Sequence, residues 1–296
     1  MPIILDHQLR EQIPHRATEF PITYFHDELA TLPDREGPIH WHPDFEIATA
    51  EYGVLDYLVG GHHIILEAGD SVFVNKNMLH SIKQVSGEIP DPMPNIVFSG
   101  ALLAAESGTV YQKYILPIAS CDSLPFVVFR SGDPAHKEVN RLIKDIYRHM
   151  DEQGKCYELA VLRSISLIFE YIFCNFENLS SAEATRIQIN NQIRLQKMLT
   201  FIYENYASPV TLEDIARAAD ISRSEAGRCF QAYMGCSPVE ALIRYRLDMA
   251  HQMLCESTHT LQEVSYACGF NSVSYFSRQY KKRYGYTPGK TAVMGK

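Results

Sequence analysis

From about Ile22 to Val128 the chain sets short runs of β-branched and aromatic residues (ITYF, DYLV, HHIIL, SVFV, NIVF, FVVF) between Gly, Pro, Asn and Asp. Such runs read as strands, because branched and aromatic side chains pack well on a pleated surface and the punctuating residues favour turns. Gly60-Gly61 between DYLV and HHIIL suits a two-residue hairpin turn, since both positions can take positive φ. Gly69-Asp70 marks another turn, and many short strands with close turns predict a small barrel. The period then changes. Val139, Leu142, Ile143, Ile146, Tyr147 and Met150 follow one helix face, and Asp133-Pro134 supplies a cap and a first-turn proline. Gly154 separates this helix from a second, about Tyr157 to Phe176. That helix is apolar on one side through Leu159, Leu162, Phe169, Phe173 and Phe176, and beside it through Ile165, Ile168 and Ile172. So wide an apolar surface needs a partner beyond its own hairpin, either the barrel or a second protomer. The polar stretch Asn178 to Asn191 reads as a linker, followed by a helix from Ile193 to Tyr206 that Ala207-Ser208-Pro209 closes.

The last hundred or so residues contain an internal repeat. TLEDIARAADISRSEAGRCFQAYMGCSP (Thr211 to Pro238) is echoed by TLQEVSYACGFNSVSYFSRQYKKRYGYTP (Thr260 to Pro288), at an offset of 49 residues that becomes 50 after Asn271. Each copy is written as a helix-turn-helix. A threonine caps a short helix with apolar Leu212, Ile215, Ala216 and Ala219, or Leu261, Val264 and Ala267. A turn follows at Asp220 or Gly269, residue types that tolerate left-handed backbone. Ile221 or Phe270 plugs the core, a serine caps the next helix, and Gly235 or Gly285 ends it. A second helix held this way can lie in the major groove with its N-terminal side chains on base edges.

Charge sharpens this picture. The whole chain carries −8, but residues 1–185 hold 13 Lys+Arg against 26 Asp+Glu, and residues 186–296 hold 14 against 9. The balances are therefore −13 and +5, which points only the second half at phosphate. Ten of the twelve histidines lie in the first half. No stretch approaches the ~20 apolar residues of a membrane helix; the nearest, Ile165 to Cys174, is short and carries Glu170. MPIILDHQLREQ lacks the basic start and apolar middle of a secretion signal. Seven cysteines without CxxC spacing read as reduced thiols, so the protein is expected to be cytoplasmic and off the membrane. No Ser-His-Asp or Cys-His arrangement, phosphate loop or nucleotide fingerprint is present.

The repeat resembles the AraC/XylS family of bacterial transcription regulators. The resemblance covers about Ile193 to Val293, and includes a connecting helix written RYRLDMAHQMLCES (Arg244 to Ser257) and the specific ending CGFNSVSYFSRQYKKRYGYTP. It implies that the connecting helix holds two recognition helices on one face of double-stranded DNA, about one helical turn (~34 Å) apart. It places Ser224, Gly227 and Arg228 at the bases in the first unit, and Val273, Ser274, Ser277 and Arg278 in the second, with Tyr275 beside them. Arg228 and Arg278 have the fork that reads guanine bidentately, or clamps a phosphate. Gly227 has no side chain to read with, a departure from the family for which Arg223 can compensate. Val273 either meets a thymine methyl or packs. Lys281-Lys282-Arg283 reads as a phosphate-facing or solvated end, with Lys282 its phosphate contact. Phe230, Phe276 and Tyr280 read as core.

His40-Trp41-His42-Pro43-Asp44-Phe45-Glu46 with Gly53, then Gly69-Asp70 and His80, resembles the two cupin motifs. His40, His42 and Glu46 share parity, so one strand would point all three inward, with His80 arriving on the next. Imidazoles and a carboxylate together suit Zn, Fe, Mn or Ni; whether a divalent metal is held stays open, since regulatory cupins also sense organic molecules. Asn75 and Asn77 stand where the second motif has Pro and Gly, and Gln84 where Asn is common. His62, His63, His136 and His149 read as surface or hairpin residues.

These readings assemble into a two-domain α+β protein. Residues 1–132 form a cupin-like effector-binding barrel, 133–177 a helical hairpin for homodimerisation, 178–191 a linker, and 192–296 an all-α double helix-turn-helix. The expected function is DNA-binding transcription regulation under a small-molecule effector held by His40, His42, Glu46 and His80, without enzyme activity. The competing reading is a cupin metalloenzyme, an oxygenase or isomerase, fused to a DNA-binding domain.

Overall fold

Among the described residues eight strands form: β1 Ile22–Asp27, β2 Phe45–Thr49, β3 Val54–Val59, β4 His62–Glu67, β5 Ser71–Val74, β6 His80–Ser86, β7 Met93–Phe98 and β8 Phe126–Phe129, six of them on the quoted β-branched and aromatic runs and two, β2 and β6, outside those runs. The structure, a computed structural model, describes residues 5, 9–14, 19–27, 29–32, 35–86, 93–121, 123–176, 182–256 and 259–294. The chain divides into two units, one centred on Arg10–Asn190 and one on Asn191–Lys296.

In the first unit the strands pair antiparallel in two sheets, ordered β1-β7-β2-β5-β8 and β4-β3-β6. Gly60 and Gly61 both take positive φ (57° and 88°), as a tight β3–β4 hairpin requires. Period two decides which face each β2 residue serves. Phe45 and Ile47 join the core beneath the helices. Ala48 faces the interior with Leu55, Tyr57, Val59, Leu66, Val72 and Val74, and Glu46 shares that parity. All five β2 residues are buried, so the strand is covered on both faces. Asn75 and Asn77 now have reasons. Asn75 donates to the carbonyls of Ile118 and Leu124, and Asn77 sits at φ 62°, where a glycine would be at ease and an asparagine is tolerated.

A single π turn over Tyr111–Ile115 leads into the short α1, Leu116–Ala119. Asp133 caps a 3-10 turn that opens α2, Lys137–Glu152, whose Val139, Leu142, Ile143, Ile146 and Tyr147 are buried as the spacing predicts. The partner of α3, Tyr157–Phe176, is the sheet of its own chain. Phe169 meets Phe45, Phe73 and Phe98 edge to face at centroid distances of 5.1, 5.8 and 6.1 Å. Val161, Ile165, Ile168 and Ile172 are fully buried in the same core. A dimer interface at Ile168 and Ile172 is therefore excluded, because the five-stranded sheet presents an apolar outer face that this stripe covers. Leu159 and Leu167 instead point outward, 67% and 42% exposed.

The supposed linker is helical from Ala182, within α4, Ala182–Asn205; residues 177–181 lie outside the described residues. Its Ala, Glu, Arg and Gln are good helix formers with no Gly or Pro among them, so polarity alone did not break the helix. The second unit continues with α5 Leu212–Arg217, α6 Arg223–Met234, α7 Pro238–Glu256, α8 Leu261–Ala267, α9 Val273–Tyr284 and α10 Pro288–Met294. Thr211 with Asp214, Ser222 with Glu225, and Thr260 with Glu263 close reciprocal capping boxes. The connecting helix starts at Pro238, six residues before Arg244, because Ser237 and Glu240 cap it around a proline that opens a helix rather than stops one.

Candidate functional site

Each helix-turn-helix aims one stripe of its second helix outward. On α6, Arg223, Ser224 and Arg228 are exposed and Gly227 is half-buried. A Cβ at Gly227 would meet nothing within 4 Å, so packing does not demand a glycine there. Arg228 Nη1 donates to Ser224 Oγ at 3.4 Å, while Arg223 lies 3.4 Å from Glu213 Oε2 on the preceding helix. On α9, Ser274, Tyr275, Arg278 and Lys282 are exposed, and Val273 and Ser277 half-buried. The two stripes occupy matching positions behind matching serine caps. Gln231, exposed one turn beyond Gly227, extends the first stripe. The basic run divides: Lys281 and Lys282 are exposed, but Arg283 holds both oxygens of Asp248 at 2.8 and 3.0 Å and ties α9 to α7. Burial of Phe230, Phe276 and Tyr280 agrees with their reading as core.

In the first unit, His40, His42, Glu46 and His80 are all buried, with one ligand atom from each lying within 4.8 Å of the others. They do not share a strand. β2 begins only at Phe45, and the chain bends at Pro43-Asp44. His40 instead pairs with His80 in an isolated antiparallel bridge, with two backbone hydrogen bonds of 2.9 Å. Glu46 reaches the cluster from the other sheet, so the site spans the barrel.

The backbone sets the tautomers. Nδ1 of His40, His42 and His80 donates to the carbonyls of Pro38, Asp44 and Met78 at 2.9, 3.0 and 2.8 Å. Each Nε2 therefore faces the cluster, and is an inward lone pair whenever its ring is neutral. His42 Nε2 lies 3.2 Å and His80 Nε2 2.9 Å from Glu46 Oε2. The His80 contact is off the angle a hydrogen bond needs, so among the described residues that buried nitrogen has no hydrogen-bond partner. Tyr57 Oη donates to Glu46 Oε1 at 2.5 Å. Burial, then the neighbouring His80 and His42, push His40 well below the usual imidazole range. Burial alone would raise Glu46, but His80 and His42 outweigh it and hold the carboxyl well below its ordinary value. Ligand atoms about 2.1 Å from one ion lie about 3–4 Å apart, so small side-chain rotations would close this set on a divalent cation. The orphaned His80 nitrogen and the three preset Nε2 atoms fit such an ion.

Glu11, Asp27, Tyr57 and Asn95 are among the residues of the same cavity that were not anticipated. Tyr57 alternates with buried Leu55 and Val59, and that parity was a readable signal. Glu11 left no local signal, because it arrives through a backbone bond to Trp41 O at 3.0 Å. Burial, then repulsion from Glu46, pushes Glu11 up to about 7, and the same two causes push Asp27 up to about 6.

Two capped helix-turn-helix units and a cupin-like barrel in one chain define the class of transcription regulators that join a DNA-binding module to a second domain. Comparison with known proteins agrees. A helix-turn-helix domain family matches residues 215–293, and a cupin domain family matches residues 29–90. The chain is 25% identical over 290 residues to the uncharacterized HTH-type transcriptional regulator YdeC of Bacillus subtilis, covering 96% of both. It is 22% identical over 272 residues to the HTH-type transcriptional activator RhaS of Salmonella schwarzengrund, covering 89% of this chain and 92% of that one. The crystal structure of a transcriptional regulator with an AraC-type DNA-binding domain from Chromobacterium violaceum is 27% identical and covers 36% of this chain and 96% of its own, with a TM-score of 0.35. The chain thus carries a helix-turn-helix domain and a cupin domain, and is similar over most of its length to HTH-type transcriptional regulators. Among the described residues no helix is long and apolar enough to cross a membrane.

Proposed function

We propose that α6 and α9 are the two base readers of this regulator and that its barrel is the sensing domain. The observation that carries the first part is the pair of matching exposed stripes, Arg223, Ser224 and Arg228 on α6 and Ser274, Tyr275, Arg278 and Lys282 on α9. Arginine in the second turn of an exposed recognition helix has the reach and fork for guanine O6 and N7, and Lys282 has the point charge for phosphate. Selection of the full chain on random duplex DNA is expected to enrich one motif, bound more weakly as salt rises. Arg278→Ala should then cost about 1–3 kcal/mol on that motif and relax one base position, whereas Lys282→Ala weakens all sequences alike. Failure to enrich any motif, with no salt-dependent shift, would overturn the reading.

The barrel's part rests on the four converging ligands. His40, His42 and His80 through Nε2, with Glu46 through Oε2, would hold a divalent metal, which supplies a fixed positive charge that neutral imidazoles cannot. A cavity of about 20 Å³ adjoins them. The similar proteins are named as transcription regulators, which favours sensing over a metalloenzyme. Homodimerisation, in this reading, falls to the outer stripe of α3. Leu159→Glu with Leu167→Glu is expected to halve the mass measured by light scattering at micromolar concentration; an unchanged mass would move the interface elsewhere.

A further inference from the structure

The cavity beside the histidines is small, and acidic where the imidazoles do not reach. Its volume of about 20 Å³ is close to what one water-sized particle needs, ~10–15 Å³. Besides Glu46, two more carboxyl groups line it. Glu11 Oε2 lies 3.7 Å from His40 Nε2, and the main chain fixes Glu11 through its bond to Trp41 O. Asp27 is held by Asn95 Nδ2 at 2.6 Å. Among the described residues that line the cavity, none is lysine or arginine. Buried carboxyls that converge without a cation are costly unless something positive joins them. Size and charge therefore select the same occupant, a single small cation.

We propose that a divalent transition-metal ion is itself the effector: the His40, His42, His80 and Glu46 set binds it, Glu11 and Asp27 complete its surroundings, and its occupancy alters the affinity of the chain for DNA. This rests on the reading of α6 and α9 as DNA readers and of the barrel as a sensor. Glu11 and Asp27 serve as outer partners, a role that orients ligands and tunes affinity. Linkage makes the coupling reciprocal, so DNA changes metal affinity by the factor that metal changes DNA affinity.

The test uses the full chain stripped with EDTA, titrated calorimetrically with ZnCl2, NiCl2 or MnCl2, and its selected duplex followed by fluorescence anisotropy with and without each salt. One metal is expected to bind one per chain and to change DNA affinity by about 5- to 150-fold. Glu11→Gln and Asp27→Asn should each weaken that metal by about 10- to 100-fold, and raise the metal concentration at half-response by the same factor. Melting in EDTA checks that both variants fold. Saturating metal with unchanged DNA affinity would overturn the proposal while leaving the DNA reading intact, as would absence of metal binding. Absence of DNA binding both with and without metal would remove the underlying reading and this inference with it.

Discussion

Ile168→Glu is expected to unfold the first unit rather than to release a soluble monomer. Ile168 is fully buried, in the layer where Phe169 meets Phe45, Phe73 and Phe98. A glutamate there would lose the transfer energy of the isoleucine and bury a charge with no partner. The sum of these effects is at least ~4 kcal/mol, a large share of the roughly 5–15 kcal/mol that holds a typical protein together. Protonation lowers the cost of the charge but still leaves a polar group unpaired. The exposed Ser166 on the same helix supplies the control, since Ser166→Glu should stay within about 0.5 kcal/mol. Urea unfolding followed by circular dichroism separates the two. A folded Ile168→Glu protein with an unmoved midpoint would show that α3 does not cover the sheet.

Gly269→Ala is expected to impair the second helix-turn-helix by distorting the turn that aims α9. Gly269 sits at φ 75°, a conformation costing a side-chain-bearing residue about 1–2 kcal/mol. Space adds more. A Cβ there would lie 2.5 Å from Tyr206 O and 2.9 Å from Arg246 Nη2. Arg246 donates to Tyr206 O at 2.7 Å and to Ser208 O at 2.8 Å, so the methyl strikes a charged clamp on the carbonyls just past the end of α4. Losing part of that clamp brings the total to about 3 kcal/mol. Gly235→Ala has a similar φ of 59° but nothing within 4 Å, and should cost only about 1 kcal/mol. Thermal melting of the full chain, with anisotropy on the selected duplex, should rank Gly269→Ala well below Gly235→Ala in both. Equal effects would mean that φ alone, and not the contact with α4, demands glycine at this turn.

The first copy shows why that turn was only half legible. Its equivalent residue is Asp220, at φ 56°, so the left-handed turn could be read from either residue type. The need for a missing side chain could not, because Tyr206 and Arg246 lie far away in sequence. Tyr57 was open to reading from strand parity, whereas Asp27 and Asn95 meet only once β1 pairs with β7.

The sequence by itself determined what depends on neighbours a few residues away: strand and helix periods, the threonine and serine caps, the glycine ends and the duplicated helix-turn-helix. Those interactions close over three or four residues, so residue order alone carries them. Tertiary structure decided the rest. It turned Ile168 and Ile172 into the chain's own core, because only the assembled sheet supplies their apolar partner. It drew Arg283 away from solvent to Asp248. It brought His40 to His80 by a bridge rather than along a strand, and it delivered Glu11 through the backbone of Trp41. Each of these contacts joins residues separated by long stretches of chain, and no local preference records which pairings the closed barrel or the packed helices will make.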